Sequence, residues 1–384
     1  MSLDGAGQVG GHQHGTAHAD GALPRAGKPG RVRRAPQPHL PDPARPFTIL
    51  SLDGGGTSVL ASARTLAQLE TTVGWPLRNR FDLVAGTSAG GILALAIAAG
   101  IPLHAFADAW ARSIPGIFAA SSAPKGVAAT LMGLARSLLR PRHDGTGLRR
   151  WLHHAFPDGL HVGDLPARVI IPATDLTDGR ARVLRTHHAP GRRHISHWSV
   201  RDLALATSAA PIFLPVHRAH GRAWADGGLF ANSPNTLALM EAIGPLAVPV
   251  DRVHMLSVGS NWGISRVDGH GEPLQWGARD WATGQRIVKT VMQTQQGVAI
   301  EATIRVLGAR HHRWEATPTR KEALELGLDA ADPAAVQALE RMGQDLWSSV
   351  AHTPIVATLA RHRAPRPVLG HTQGWDQLPE SNSR

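Results

Sequence analysis

Cysteine is absent from the 384 residues, which excludes disulfides, thiolate nucleophiles and thiolate metal sites. Tyrosine is absent as well, and no basic stripe interleaved with aromatic residues stands out. The combination of stacking platform and positive charge that nucleic-acid binding uses is therefore missing, and no nucleic-acid partner is expected. No uninterrupted apolar stretch reaches the roughly 18 residues a membrane-spanning helix needs. The N-terminal MSLDGAGQVGGHQHGTAHAD has no apolar core between a basic start and a small-residue cleavage site, so no signal peptide is read there. A soluble, cytoplasmic protein is the expectation.

What is present is globular in composition, with 42% hydrophobic and 18% charged residues, and long enough for one large or two ordinary domains. The formal net charge of +11 by itself favours an anionic partner, nucleic acid or a surface rich in acidic lipid. Arginines that merely solvate the surface account for the same number. Residues 1–45 are rich in Gly, His, Pro and Arg without hydrophobic periodicity and read as a disordered tail. His12, His14 and His18 within it have a spacing that could hold a metal, against the plainer reading of a polar tail.

Order is expected from Phe47. The apolar run Phe47 to Leu52 predicts a buried strand, and Asp53-Gly54-Gly55-Gly56-Thr57-Ser58 follows before a helix with Leu60, Leu66 and Leu69 on one face. Three glycines between a strand and a helix leave backbone N–H groups pointing outward at the positive end of the helix, which is an anion site. A nucleotide phosphate fits poorly, because Gly-Lys-Ser/Thr is missing and Val59 stands where the dinucleotide fingerprint needs its last glycine. The oxyanion of an acyl-transfer intermediate fits better.

The second strand-turn-helix unit is Phe81 to Gly91, reading FDLVAGTSAGG. A short apolar run enters Gly86-Thr87-Ser88-Ala89-Gly90, and an apolar helix leaves it. In that setting G-x-S-x-G is a nucleophile elbow: Ser88 occupies a strained turn, and Gly86 and Gly90 let strand and helix pass without a Cβ clash. A serine serving only as a helix N-cap is the alternative.

Further along, helices are expected over residues 101–118 and 145–156, with an apolar face bordered by arginines at Leu131, Met132, Leu134, Arg136, Leu138, Leu139, Arg140 and Arg142. That stretch could rest on lipid or close over a site, or simply face the core. Val169 to Asp175 predicts a strand with a hairpin partner at Ala181 to Thr186, across Asp178-Gly179. A helix is expected over Ser199 to Ala209, a strand end at Trp224-Ala225-Asp226 before the Gly227-Gly228 turn, and a helix start at Asn232-Ser233-Pro234. Another buried strand spans Arg252 to Gly259. Helices follow over about 281–307 and 334–360, and 361–384 reads as a second disordered tail. Strands alternating with helices predict an α/β fold with a mostly parallel sheet, helices on both faces and one main domain, residues 46–360.

The segments ILSLDGGG, FDLVAGTSAGG, ATSAAPIFLP and ADGGLFANSP, in this order over residues 47–260, resemble the patatin-like phospholipase family. The resemblance implies a three-layer α/β/α sandwich and a lipid acyl hydrolase with a Ser-Asp dyad and no catalytic histidine. It places the oxyanion loop at Gly54, Gly55 and Gly56, the nucleophile at Ser88 and the general base at Asp226 in its Asp-Gly-Gly turn. No metal or other cofactor is needed. A glycerophospholipid or lysophospholipid is the implied substrate, with peripheral membrane contact in keeping.

One departure stands out: where the family reads Arg-Gly after DGGG and one residue, this chain has Ser58 and Val59. A catalytically impaired binding protein on the same fold is thus an alternative. A second alternative comes from bacterial members that a cyclic nucleotide switches on, with the helical part after residue 265 having room for regulation. A Ser-Asp-His triad completed by His254 is the competing arrangement of the site, set against a strand histidine with no catalytic part.

Overall fold

The computed structural model describes residues 38–118, 140–190, 194–260, 274–277, 280–281, 286–319, 322, 326–367 and 369. The histidines at 12, 14 and 18 and the arginine-bordered stretch up to residue 139 lie outside the described residues. The run at Phe47 forms β1 (Phe47–Leu52), buried at every position. It pairs in parallel with β2 (Leu83–Gly86) on one side and β7 (Val253–Ser260) on the other. Beyond β2 lies β3 (Val169–Asp175) and beyond β7 lies β8 (His311–Ala316), both parallel.

The sheet turns mixed at β3. Its predicted hairpin partner is β4 (Arg180–Arg185), and β6 (Arg222–Asp226) runs antiparallel to its C-terminal half, with β5 (His217–Ala219) outside. The register Ala173↔Asp226 follows. Sequence reasoning has no strand at His311–Ala316: HHRWEA shows no apolar run, because as the outermost parallel strand β8 buries only Trp314 and Ala316.

Helices in chain order are α1 (Val59–Val73), α2 (Ser88–Ala99), α3 (Leu103–Ile117), α4 (Thr146–Ala155), α5 (Val200–Thr207), the single turn α6 (Gly228–Ala231), α7 (Asn235–Ile243), α8 (Arg286–Leu307), α9 (Pro333–Val350) and α10 (Pro354–Arg361). The expected helix over 334–360 is two helices. Thr353 and Pro354 restart it, since a proline is accommodated in a first helical turn but not in an interior.

Strand alternation sorts the sheet's side chains into two cores. Leu50, Leu52, Val84, Ile171, Leu256 and Val258 join the cluster built with α1 to α5, α9 and α10. Phe47, Ile49, Leu83, Ala85, Ile170, Val253 and Met255 face the cluster that includes Ala238, Leu239 and Ala242 of α7 and Leu307 of α8. Two apolar faces on near-continuous hydrophobic strands are what a sheet covered on both sides requires. The result is the three-layer α/β/α sandwich. Past α10 the chain continues in place through residues 362–367: Ala364 N–H donates to the Asn79 carbonyl, and Arg80 donates to the carbonyls of Leu359, Ala360 and His362. Among the described residues no helix is long and apolar enough to cross a membrane.

Candidate active site

The turns after β1, β2 and β6 converge at one end of the sheet. Ser88 opens α2 with φ of 55°, a left-handed conformation that costs a non-glycine residue energy and is held only where the surroundings over-determine it. The surroundings here are tight. A Cβ on Gly86 would lie 2.3 Å from the Gly90 carbonyl oxygen, and one on Gly90 would lie 2.3 Å from the Asp53 carbonyl oxygen. Thr207 at the end of α5 fixes the serine itself: its Oγ1 accepts the Ser88 N–H at 3.0 Å and donates to the Pro172 carbonyl at 2.7 Å.

Ser88 Oγ donates to Asp226 Oδ2 at 2.6 Å, and the other carboxylate oxygen accepts the Gly228 N–H at 2.6 Å. Asp226 is 1% exposed and Ser88 8%. Burial pushes the Asp226 carboxyl up from its ordinary 3.8 to about 6, opposed by the hydrogen bonds from Ser88 and Gly228. Gly227 is required by packing, as a Cβ there would meet the Pro172 carbonyl oxygen at 2.3 Å, and Gly228 presents its N–H to the carboxylate. A buried carboxylate that is half-way titrated near pH 6 is a competent proton acceptor for an alcohol, which one at 3.8 is not.

The glycine loop is divided in its donors. Gly54 N–H donates to the Asn232 carbonyl at 2.9 Å, and Thr57 N–H to the Leu328 carbonyl at 3.0 Å. The N–H groups of Gly55 and Gly56 have no partner among the described residues. Gly56 has φ of 57°, and a Cβ on it would lie 2.0 Å from the Leu328 carbonyl oxygen, so only glycine fits.

The loop is braced without an arginine at position 58. Ser58 Oγ donates to the Gly55 carbonyl at 2.8 Å, and Val59 is buried at the start of α1. The cation comes instead from β8: Arg313 Nη2 lies 2.6 Å from Asp53 Oδ2 and Nη1 donates to Ser257 Oγ at 2.9 Å. Adjacent residues of α8 tie the loop to the acid turn. Gln296 donates to Asp53 Oδ2 at 3.1 Å and accepts from Asn232 Nδ2 at 2.6 Å; Gln295 donates to the Gly228 carbonyl at 2.8 Å and accepts the Asn232 N–H at 3.1 Å.

Beside Ser88 and Asp226 is a cavity of about 40 Å³ lined mainly by apolar side chains, among them Trp110, Phe118, Phe213, Met292 and Leu328. His254 is elsewhere. It lies one residue into β7 opposite Thr48, at the far end of the parallel strands, and makes no bond to Ser88 or Asp226. Among the described residues no group of His, Asp or Glu side chains converges as metal ligands.

Of these groups, Thr207 and Asn232 sit inside the recognisable segments ATSAAPIFLP and ADGGLFANSP. Gln295, Gln296 and Arg313 have no local motif around them; only the fold brings them in.

The family model for patatin-like phospholipase matches residues 50–239, the span that carries both strand-turn-helix units and the Asp-Gly-Gly turn. A cGAMP-activated phospholipase of Pseudomonas aeruginosa is 32% identical over 85% of this chain and 95% of its own length. Another of the same description from Vibrio cholerae is 29% identical over 80% of this chain and 91% of its own. Among solved structures, VipD from Legionella pneumophila aligns with a TM-score of 0.36 and 13% identity over 83% of this chain and 70% of that one. The chain belongs to the patatin-like phospholipase family. It is an enzyme, a hydrolase acting on esters.

Proposed function

We propose that the chain is a lipid acyl hydrolase that cleaves fatty acyl esters of phospholipids with Ser88 as nucleophile and Asp226 as general base. The observation that carries this reading is the 2.6 Å bond from Ser88 Oγ to a buried carboxylate whose pKa lies at about 6. In the first half-reaction Oγ attacks the ester carbonyl carbon while its proton passes to Asp226. The negative charge on the carbonyl oxygen takes hydrogen bonds from the Gly55 and Gly56 N–H groups, and removing one such donor typically costs about 3 to 4 kcal/mol. Collapse expels the alkoxide of the lysolipid, which leaves with the proton from Asp226. Asp226 then takes a proton from water, whose oxygen attacks the acyl-serine; as the acyl–Oγ bond breaks, Ser88 Oγ regains that proton from Asp226 and the fatty acid leaves.

The test is fatty-acid release from mixed phospholipid vesicles by the wild type, Ser88→Ala and Asp226→Ala, with folding checked by circular dichroism. Release lost in both folded variants supports the dyad; retention in either refutes it.

A second, gated form of the same reading is favoured by the cavity. At about 40 Å³ it has room for a few water-sized groups rather than a long acyl chain. Relatives named as cGAMP-activated point to a cyclic dinucleotide as the trigger. A wild type silent on vesicles until cGAMP is added is the expected behaviour of that form; equal release with and without cGAMP refutes it.

A further inference from the structure

At the end of the sheet away from Ser88, a cavity of about 190 Å³ opens between the segments that lead into β2 and β3 and the chain after α10. Three arginines line it: Arg78, Arg168 and Arg366. The chain reaches these positions by separate routes, one before each strand and one from the residues past α10, so their convergence is a property of the fold.

None of the three makes an ion pair among the described residues, although ion pairs are plentiful elsewhere on the surface. Arg168 is 5% exposed, yet its Nε has no acceptor and its Nη atoms reach only the Asp82 and His39 carbonyls at 3.4 Å. Arg78 packs its guanidinium over Gly100, and its Nη1 is also buried without an acceptor. Burial first, and then the charge of Arg366, holds the Arg78 guanidinium below its ordinary value. Asp82 is the one carboxylate in the lining, and its Oδ2 already takes the Thr48 N–H and hydroxyl and His362 Nε2. Pro166, Pro365 and Pro367 form stiff walls.

Arg168 is a buried cation with no ion pair, its charge offset only by the nearby Asp82, and the half-buried Arg78 and exposed Arg366 add like charge beside it, which is costly. A ligand that brings negative charge and several acceptor oxygens removes both penalties. Guanidinium forks match the oxygen geometry of phosphate. We propose that the Arg78–Arg168–Arg366 pocket is a binding site for the phosphate group of a soluble ligand, separate from the hydrolytic centre. The free-phosphate source is independent of the reading above, and the cyclic-dinucleotide source rests on its gated form. The phosphate has two candidate sources, free inorganic phosphate and the phosphodiester of a cyclic dinucleotide.

Titration calorimetry at low ionic strength on the full chain tests it, with inorganic phosphate and cGAMP as separate titrants. The proteins are the wild type, Ser88→Ala, Arg366→Gln and the Arg78→Gln/Arg366→Gln pair. The expected result is saturable binding to the wild type and to Ser88→Ala alike, weakened roughly tenfold or more in the two arginine variants. Arg366 is exposed, so its variant should fold, and relief of the Arg78–Arg366 repulsion should leave its ligand-free melting point equal or higher. Displacement of phosphate by cGAMP assigns the dinucleotide as source, and phosphate binding that cGAMP does not disturb assigns the free anion. Absence of saturable binding by either titrant in the wild type overturns the proposal, as does unchanged affinity in both arginine variants. Because Ser88→Ala is read by binding alone, failure of the hydrolase reading leaves this result intact.

Discussion

Replacing Asp226 with asparagine should destroy activity and stabilise the protein, with a pH signature that fixes the cause. The folded-state pKa of about 6 lies above the ordinary 3.8, so the buried carboxylate binds its proton more tightly than the unfolded chain does. Its protonated form is therefore favoured in the fold. The cost of ionising it there is absent below pH 3.8, grows between 3.8 and 6, and is complete above 6. At 1.36 kcal/mol for each tenfold in proton affinity, the gap corresponds to about 3 kcal/mol.

Asparagine keeps the shape: its Oδ1 can accept the Gly228 N–H, and its Nδ2 can donate to Ser88 Oγ. Urea unfolding of Asp226→Asn and wild type from pH 3.5 to 8 should show a difference near zero at the acid end, rising to about 3 kcal/mol in the variant's favour above pH 6. Wild-type ester hydrolysis should rise through the same interval with a single ionisation near 6, while the variant stays inactive. A stability gain that does not vary with pH, or a rate profile flat through pH 6, refutes the assignment of the raised carboxyl to Asp226 and with it the proton-acceptor role.

Two further outcomes test the glycine loop. Gly56→Ala places a methyl group against the Leu328 carbonyl in a left-handed backbone, so the loop must shift and vesicle hydrolysis should fall by roughly a hundredfold or more, measured against unchanged far-UV dichroism. Arg313→Ala leaves Asp53 buried without its cation, which should lower stability by about 3 to 5 kcal/mol in denaturant unfolding. A loss well under 1 kcal/mol would show that Asp53 is held by Gln296 and the backbone alone.

How much of this was legible beforehand depends on how local the determinants are. β1, β2, β3 and β7 are central strands buried at nearly every described position and write themselves as apolar runs. The turns after β1, β2 and β6 write themselves as glycines, because close backbone approach at Gly86, Gly90 and Gly227 admits nothing else. Ser88 and Asp226 were picked out by those flanks, and the fold brings them within one hydrogen bond.

The glycine triplet looks uniform in sequence, but tertiary contacts distinguish its members: Asn232 takes the Gly54 N–H and leaves those of Gly55 and Gly56. Position 58 carries serine where the resemblance expects arginine, and the guanidinium at Asp53 comes from Arg313, on a polar edge strand that no periodicity announces. Likewise the arginines around the second cavity sit at strand entrances and in a segment that reads as a tail, where no pattern signals convergence.

Gln295 and Gln296 couple two turns that are far apart in sequence. Neighbouring residues on one helix grip the glycine loop and the Asp226 turn through the shared post Asn232. Met292, one turn earlier on α8, also lines the cavity beside Ser88. The wall of the cavity beside Ser88 and the two turns thus hang on the same helix. A displacement of α8 large enough to break the Gln295 and Gln296 bonds would loosen both turns together, because one helix carries all four bonds.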